Sequence, residues 1–148
     1  MPADLYAGNH AGTSAGIVFL GDSITSEGNW SELFPGTNVK NEGVWGETTS
    51  DIINRLSAVI TNNPKKIFVL SGINDLATGV SPRDVAGNYS KMIKELTSKL
   101  PQTRIYVQSI LPVAGNNGMI NDLIISSNES LKNTIEKLNN KRVKYIDI

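Results

Sequence analysis

The sequence contains no cysteine. Disulfides, thiolate metal sites and a cysteine nucleophile are therefore excluded, and the compartment stays open. Histidine occurs once, at His10, and aromatic residues make up only 6% of the chain. Neither sign of charge is in excess, since 14 Lys and Arg balance 14 Asp and Glu. That balance leaves no basic stripe of the kind a phosphate backbone requires, so nucleic acid is not an expected partner. No apolar run approaches the roughly 20 residues that span a bilayer. Met1 to Gly16 is rich in Gly and Ala and has no basic region leading into an apolar one. No secretion signal is read there; residues 1–16 are expected to be a tail or tag before one domain over 17–148. What remains suits a globular domain: 148 residues, 39% hydrophobic and 19% charged, can form a core with neither disulfide nor metal.

Five short apolar runs read as strands: 17–20, 39–41, 66–71, 104–111 and 143–148. They are β-branched or aromatic and nearly continuous in apolar character, which suits strands buried on both faces. Helical patterns separate them. Ile52, Ile53, Leu56, Val59 and Ile60 recur at helical spacing, and Thr48 with Asp51 forms a candidate capping box. Ser81 and Pro82 open a helix whose apolar face is Val85, Tyr89, Met92, Ile93, Leu96 and Leu100, with Pro101 as its stop. A further helix is predicted over 121–138, and a short one over 31–34. Strands alternating with helices predict an α/β fold, a parallel sheet with helices on both faces. Ligands of such sheets bind beyond the carboxyl ends of the strands.

Three segments lie at that rim. The first strand leads into Leu20-Gly21-Asp22-Ser23-Ile24-Thr25, the second into Asn41-Glu42-Gly43-Val44-Trp45-Gly46-Glu47-Thr48-Thr49, and the third into Ser71-Gly72-Ile73-Asn74-Asp75. A serine in a tight strand-to-helix turn presents its hydroxyl where an acyl group can reach it. Attack on an ester makes an oxyanion, which needs donors fixed in advance. The Ser23 backbone N–H, the Gly46 N–H and the Asn74 carboxamide are the candidates. Thr25 stands where the G-x-S-x-G elbow of larger hydrolases has its second glycine, so that motif is not the one present. Each segment alone has a plainer reading: a helix cap at Ser23, a positive-φ turn at Gly46, an Asx turn at Asn74.

In order, however, Gly21-Asp22-Ser23, Asn41-x-Gly43-x-x-Gly46-x-Thr48-Thr49 and Gly72-x-Asn74-Asp75 resemble the first three sequence blocks of the SGNH/GDSL hydrolases. Gln108-Ser109-Ile110-Leu111-Pro112 sits where that family has its fourth. The resemblance runs from Ile17 to Ile148. It implies a three-layer flavodoxin-like fold with a five-stranded sheet in the order 2-1-3-4-5, and a carboxylic ester hydrolase needing no cofactor or metal. It implies Ser23 as nucleophile and backbone donor, with Gly46 and Asn74 as the other oxyanion donors. Asp22 and Trp45 beside them are candidate substrate-binding residues. The family acts on acetylated sugars, lysophospholipids, thioesters and other small esters; the Trp30-x-x-x-Phe34-Pro35-Gly36 stretch resembles members that take acetylated sugars or short acyl groups.

The family's last block, Asp-x-x-His, and its closing helix are expected beyond the fifth strand, and the sequence ends at Asp147-Ile148 before them. The resemblance therefore implies an impaired chain whose acid and base come from another segment. It also implies strands at 17–20 and 143–148 partly uncovered, open to self-association or a complementary segment. His10 lies before the first strand and so begins at the wrong end of the sheet to serve as base. The rival reading is a binding module that keeps the pocket and hydrolyses nothing. A plain nucleotide binder is disfavoured because no Gly-rich phosphate loop follows the first strand. Trp30, Phe34 and Trp45 read either as pocket lining or as core. Asn29, Asn88 and Asn128 fit the glycosylation sequon but carry little without a secretion signal.

Overall fold

The computed structural model describes residues 15–116 and 118–148. His10 and most of the expected tail lie outside them. The elements run in the order β1 (Ile17–Gly21), α1 (Ser23–Ser26), α2 (Trp30–Leu33), β2 (Val39–Gly43), α3 (Thr49–Asn54), α4 (Leu56–Thr61), β3 (Lys66–Leu70), α5 (Ile73–Ala77), α6 (Pro82–Lys99), β4 (Arg104–Gln108), α7 (Gly118–Leu138) and β5 (Val143–Ile146). All pairings are parallel, and the sheet order is β2-β1-β3-β4-β5. This is the expected three-layer α/β fold.

Alternation along the strands sorts the side chains into two faces. Val18 and Leu20, Ile67 and Val69, Ile105 and Val107, and Val143 form the first. They are buried against Ile52, Leu56 and Val59 of α3 and α4, Val85, Tyr89, Met92, Ile93 and Leu96 of α6, and Ile124, Leu131 and Ile135 of α7. The opposite face is aromatic. Phe19, Phe68 and Tyr106 are in register across three strands, and their rings stack with centroids 5.2 and 4.7 Å apart. α2 supplies the third layer among the described residues. Trp30 lies flat on Phe19, 3.8 Å away and 8° from parallel, and Phe34 stacks at 5.7 Å. β1 is therefore better covered than the sequence suggested: Phe19 is only 4% exposed. Phe68 and Tyr106 are half-buried, so the more open part of this face lies over β3 and β4.

Local signals explain the helix boundaries. Ser81 accepts from Asp84 N at 3.1 Å, and Pro82 fills the first helical position, where no N–H is needed. At the other end of α6, Arg142 donates to the carbonyls of Thr97, Leu100 and Thr103 at 2.8–3.1 Å, a cap that no local pattern announces. The helix expected around Ile52–Ile60 is two short helices, because Arg55 leaves the helical region (φ −116°, ψ 14°). β4 stops at Gln108 rather than Leu111: Ile110 and Val113 bond to the side chains of Asn128 and Asn121 on α7 instead of to a strand. Asn128 and Asn88, both within sequons, thus spend their amides on internal hydrogen bonds.

Candidate active site

The register places the ends of three strands side by side. Gly21 pairs with Gly43 on one side and Leu70 on the other, so the chain leaves the sheet at neighbouring points. After Gly21, Asp22 caps α1, its Oδ1 accepting the Ile24 N–H at 3.0 Å. Ser23 is the first helical residue and half-buried. An N–H at that position has no acceptor within its own helix.

α1 sits tightly on the end of β2. A Cβ on Gly43 would lie 2.2 Å from Ser26 N, so only glycine permits this approach. Asn41 ties the two together, donating to Ser26 O at 3.0 Å while accepting from Gly43 N at 2.9 Å. Val44 N then donates to Gly21 O at 3.0 Å.

The loop that follows is pinned at several points. Gly46 has φ +75°, and nothing lies within 4 Å of where a Cβ would be. Its glycine is required by the left-handed backbone, and the space beside it is open. The Glu47 carboxylate receives Arg55 Nε at 2.8 and 2.9 Å, and the same guanidinium reaches Glu42. Asn74 donates its carboxamide to Glu47 O at 2.9 Å. Thr48 and Asp51 form the expected capping box.

Beneath the rim lies a buried polar layer. Asp75, 1% exposed, accepts from Thr49 N and from the Thr49 hydroxyl. That hydroxyl in turn accepts from Asn88 at 2.9 Å. The Tyr89 hydroxyl donates to Ser71 O at 2.8 Å and accepts from Ser71 N at 3.0 Å. Burial pushes the Tyr89 phenol well above its ordinary range. Burial also raises the Asp22 carboxyl, against the lowering effect of the Ile24 N–H, and the nearby Asp75 adds to the rise.

Ser23, Gly46 and Asn74 are thus carried by three consecutive exits from the sheet, and Asn74 is directly bonded to the Gly46–Glu47 loop. Trp45 is 68% exposed on that loop. Trp30 is elsewhere: its indole N–H donates to Thr25 O at 2.9 Å and its ring covers Phe19, so it packs the sheet. Two surface concavities, one bordered by α7 and β5 and one over Arg104 and Lys144, include none of the three rim residues. Among the described residues, no group of three or more His, Asp or Glu side chains could hold a metal ion.

The model of the GDSL-like lipase/acylhydrolase family matches residues 19–148. The chain belongs to this family. It is 28% identical over 137 residues to the rat platelet-activating factor acetylhydrolase IB subunit alpha2, covering 88% of this chain and 59% of that protein. It is also 28% identical over 130 residues to the human alpha2 subunit, covering 84% and 56%. The chain thus spans little more than half the length of these relatives. Among solved structures, the SGNH-hydrolase family esterase AlinE4 superposes with a TM-score of 0.72 at 22% identity, covering 91% of this chain and 76% of that one. A member of the lipolytic G-D-S-L family from Veillonella parvula gives 0.73 at 20% identity, covering 88% and 76%. This GDSL-family chain therefore shares the fold of SGNH-type hydrolases. Among its described residues no helix is long and apolar enough to cross a membrane.

Sequence reading missed Arg55, and it named Thr49, Asn88, Tyr89 and Ser71 without giving them the polar roles that they have behind the rim. Asp75 and Thr49 stood inside the quoted blocks, and an Asp beside Asn74 was a signal of a kind. Arg55 and Asn88 sit in helix patterns whose polar positions look like ordinary solvent-facing ones.

Proposed function

We propose that this chain is an esterase that transfers short acyl groups, acetyl above all, through Ser23. The observation that carries this reading is the bond from Asn74 to Glu47 O, which joins the third rim segment to the loop bearing Gly46, next to the Ser23 turn. Asn74 spends one amide hydrogen on Glu47 and keeps the other for a ligand.

The Ser23 Oγ attacks the ester carbonyl carbon and the carbonyl oxygen becomes an oxyanion. The N–H groups of Ser23 and Gly46 and the free Asn74 hydrogen stabilise that charge, because they are held in place before it forms. The tetrahedral adduct collapses, the C–O bond to the alcohol breaks, and the alcohol leaves carrying the proton that the Ser23 hydroxyl gave up. Water then attacks the acyl-serine, the bond to Ser23 Oγ breaks, Oγ regains a proton from that water and the acid is released. His10, the chain's one histidine, lies outside the described residues and is given no part in these steps.

The acetyl preference draws on relatives named acetylhydrolases. Trp45, exposed on the Gly46 loop, offers an aromatic face to the alcohol portion of the ester. Hydrolysis of p-nitrophenyl acetate, butyrate and octanoate by the chain and by Ser23→Ala tests the reading. A Ser23-dependent rate highest for acetate supports it. A rate equal in Ser23→Ala, with specific ester binding retained, would instead mean a binding module.

A further inference from the structure

Two side-chain oxygens beneath the Ser23 turn are buried without a hydrogen-bond partner: Asp22 Oδ2 and Ser71 Oγ. Each residue is 1% exposed. Buried polar atoms in native folds are nearly always paired, so each such exception needs a physical cause. These two occupy equivalent positions. Gly21 and Leu70 are paired across β1 and β3, and Asp22 and Ser71 are the next residues along each chain. Asp22 is buried within electrostatic reach of Asp75 and Tyr89, on the Leu20 face of the sheet. On that face lies Tyr89, whose hydroxyl grips the Ser71 backbone.

We propose that Asp22 is a positioning residue for Ser23, acting through a buried, water-bridged link between Asp22 Oδ2 and Ser71 Oγ. Asp22 Oδ1 holds the first turn of α1 through Ile24 N, and Asp22 O accepts from Ser26 N at 2.9 Å. Anchoring Oδ2 to β3 fixes the carboxyl at its other end, so the turn that presents the Ser23 hydroxyl and N–H is braced against the sheet. The two oxygens make no direct bond, and one buried water donating to or accepting from each completes the link, as buried waters do for otherwise unpaired polar groups. Two titratable groups face Asp22 from the neighbouring elements, Asp75 on α5 and Tyr89 on α6. Burial and the Asp75 charge both favour the neutral acid, which can donate to that water. The functional part of this proposal rests on Ser23 as nucleophile; the link itself does not.

The full chain is compared with Asp22→Asn, Asp22→Ala, Ser71→Ala and the Asp22→Ala/Ser71→Ala double variant. Two quantities are measured: hydrogen-exchange protection of the Ile24 amide, and the rate at which a fluorophosphonate modifies Ser23. Asp22→Ala should lower both by about tenfold or more, and Ser71→Ala by a smaller factor in the same direction. The double variant should be no worse than Asp22→Ala alone. Asp22→Asn, which keeps an acceptor for Ile24 and gains a donor for the bridge to Ser71, should recover most of the loss. Unchanged protection in Ser71→Ala, or losses that simply multiply in the double variant, would overturn the link. If Asp22→Ala fails to fold, Ser71→Ala against Asp22→Asn still decides it. If no variant labels at Ser23, the nucleophile reading fails, while Ile24 exchange still reports on the link.

Discussion

Asn74 donates to the carbonyl of Glu47 at 2.9 Å, so the loop after β2 is held by the segment after β3. Asn74→Ala removes both this tether and a proposed oxyanion donor. The rate of Ser23 modification by a fluorophosphonate should fall by about 10²–10³, the usual loss for one such donor. Exchange at the Gly46 and Glu47 amides should rise in the same variant. A labelling rate within a factor of two of wild type would take Asn74 out of the mechanism.

The alternation of strands and helices and the three rim segments were legible because they depend on local signals: apolar runs, glycines and turn residues just past each strand. The sheet order came only with the resemblance to the SGNH/GDSL hydrolases. The capping box at Thr48 and the Ser81-Pro82 start were legible for the same reason. What was not legible depends on contacts between residues far apart in sequence. Nothing near Arg142 says that it caps α6, and nothing near Asn128 says that it ends β4 early. Trp30 could be read as pocket lining or core until its ring was placed on Phe19. Arg55 breaks a pattern whose apolar spacing alone implies one continuous helix.

The Asp75–Thr49–Asn88 chain carries a prediction about stability. Thr49→Val deletes the hydroxyl that Asp75 accepts from and Asn88 donates to. A buried carboxylate left short of a donor should cost about 1–3 kcal/mol, read from the urea unfolding midpoint. No change would mean that another group replaces the hydroxyl.

Two carboxyls should affect stability with opposite dependence on pH. The Thr48 backbone N–H, and then its hydroxyl, hold Asp51 below the ordinary value. A depressed folded pKa gives stability that is present above the unfolded value, about 3.9, and lost as pH falls through the folded one. The advantage of wild type over Asp51→Asn should therefore shrink below about pH 4. Asp22 is raised, chiefly by burial. Its folded state holds the proton longer, so stability declines as pH rises from about 3.9 through the raised value, and Asp22→Asn removes that slope. Urea midpoints across pH 3–8 check both signs. Parallel profiles for the two variants would contradict the assignment.

Trp30 and Trp45 should separate in fluorescence. Trp30 is stacked on Phe19, and Trp45 is 68% exposed. In Trp45→Phe the remaining emission should be blue-shifted and resist acrylamide, whereas Trp30→Phe should leave a red, easily quenched signal. Trp30→Ala should destabilise the fold by about 3 kcal/mol through loss of the aromatic packing.

The central claim is that Ser23 is a nucleophile facing preset oxyanion donors. Oxyanion donors and binding alone leave roughly 10³–10⁴-fold catalysis over water when any triad member, the serine included, is removed, so turnover by itself does not identify a nucleophile and covalent labelling of Ser23 does. The folded chain is incubated with a fluorophosphonate and digested, and the modified peptide is sequenced by mass spectrometry, alongside Ser23→Ala, His10→Ala and urea-unfolded controls. The account predicts one adduct, on Ser23, absent from Ser23→Ala and from the unfolded chain and unchanged in His10→Ala. Labelling spread over several serines, or Ser23 reacting no faster folded than unfolded, would contradict it.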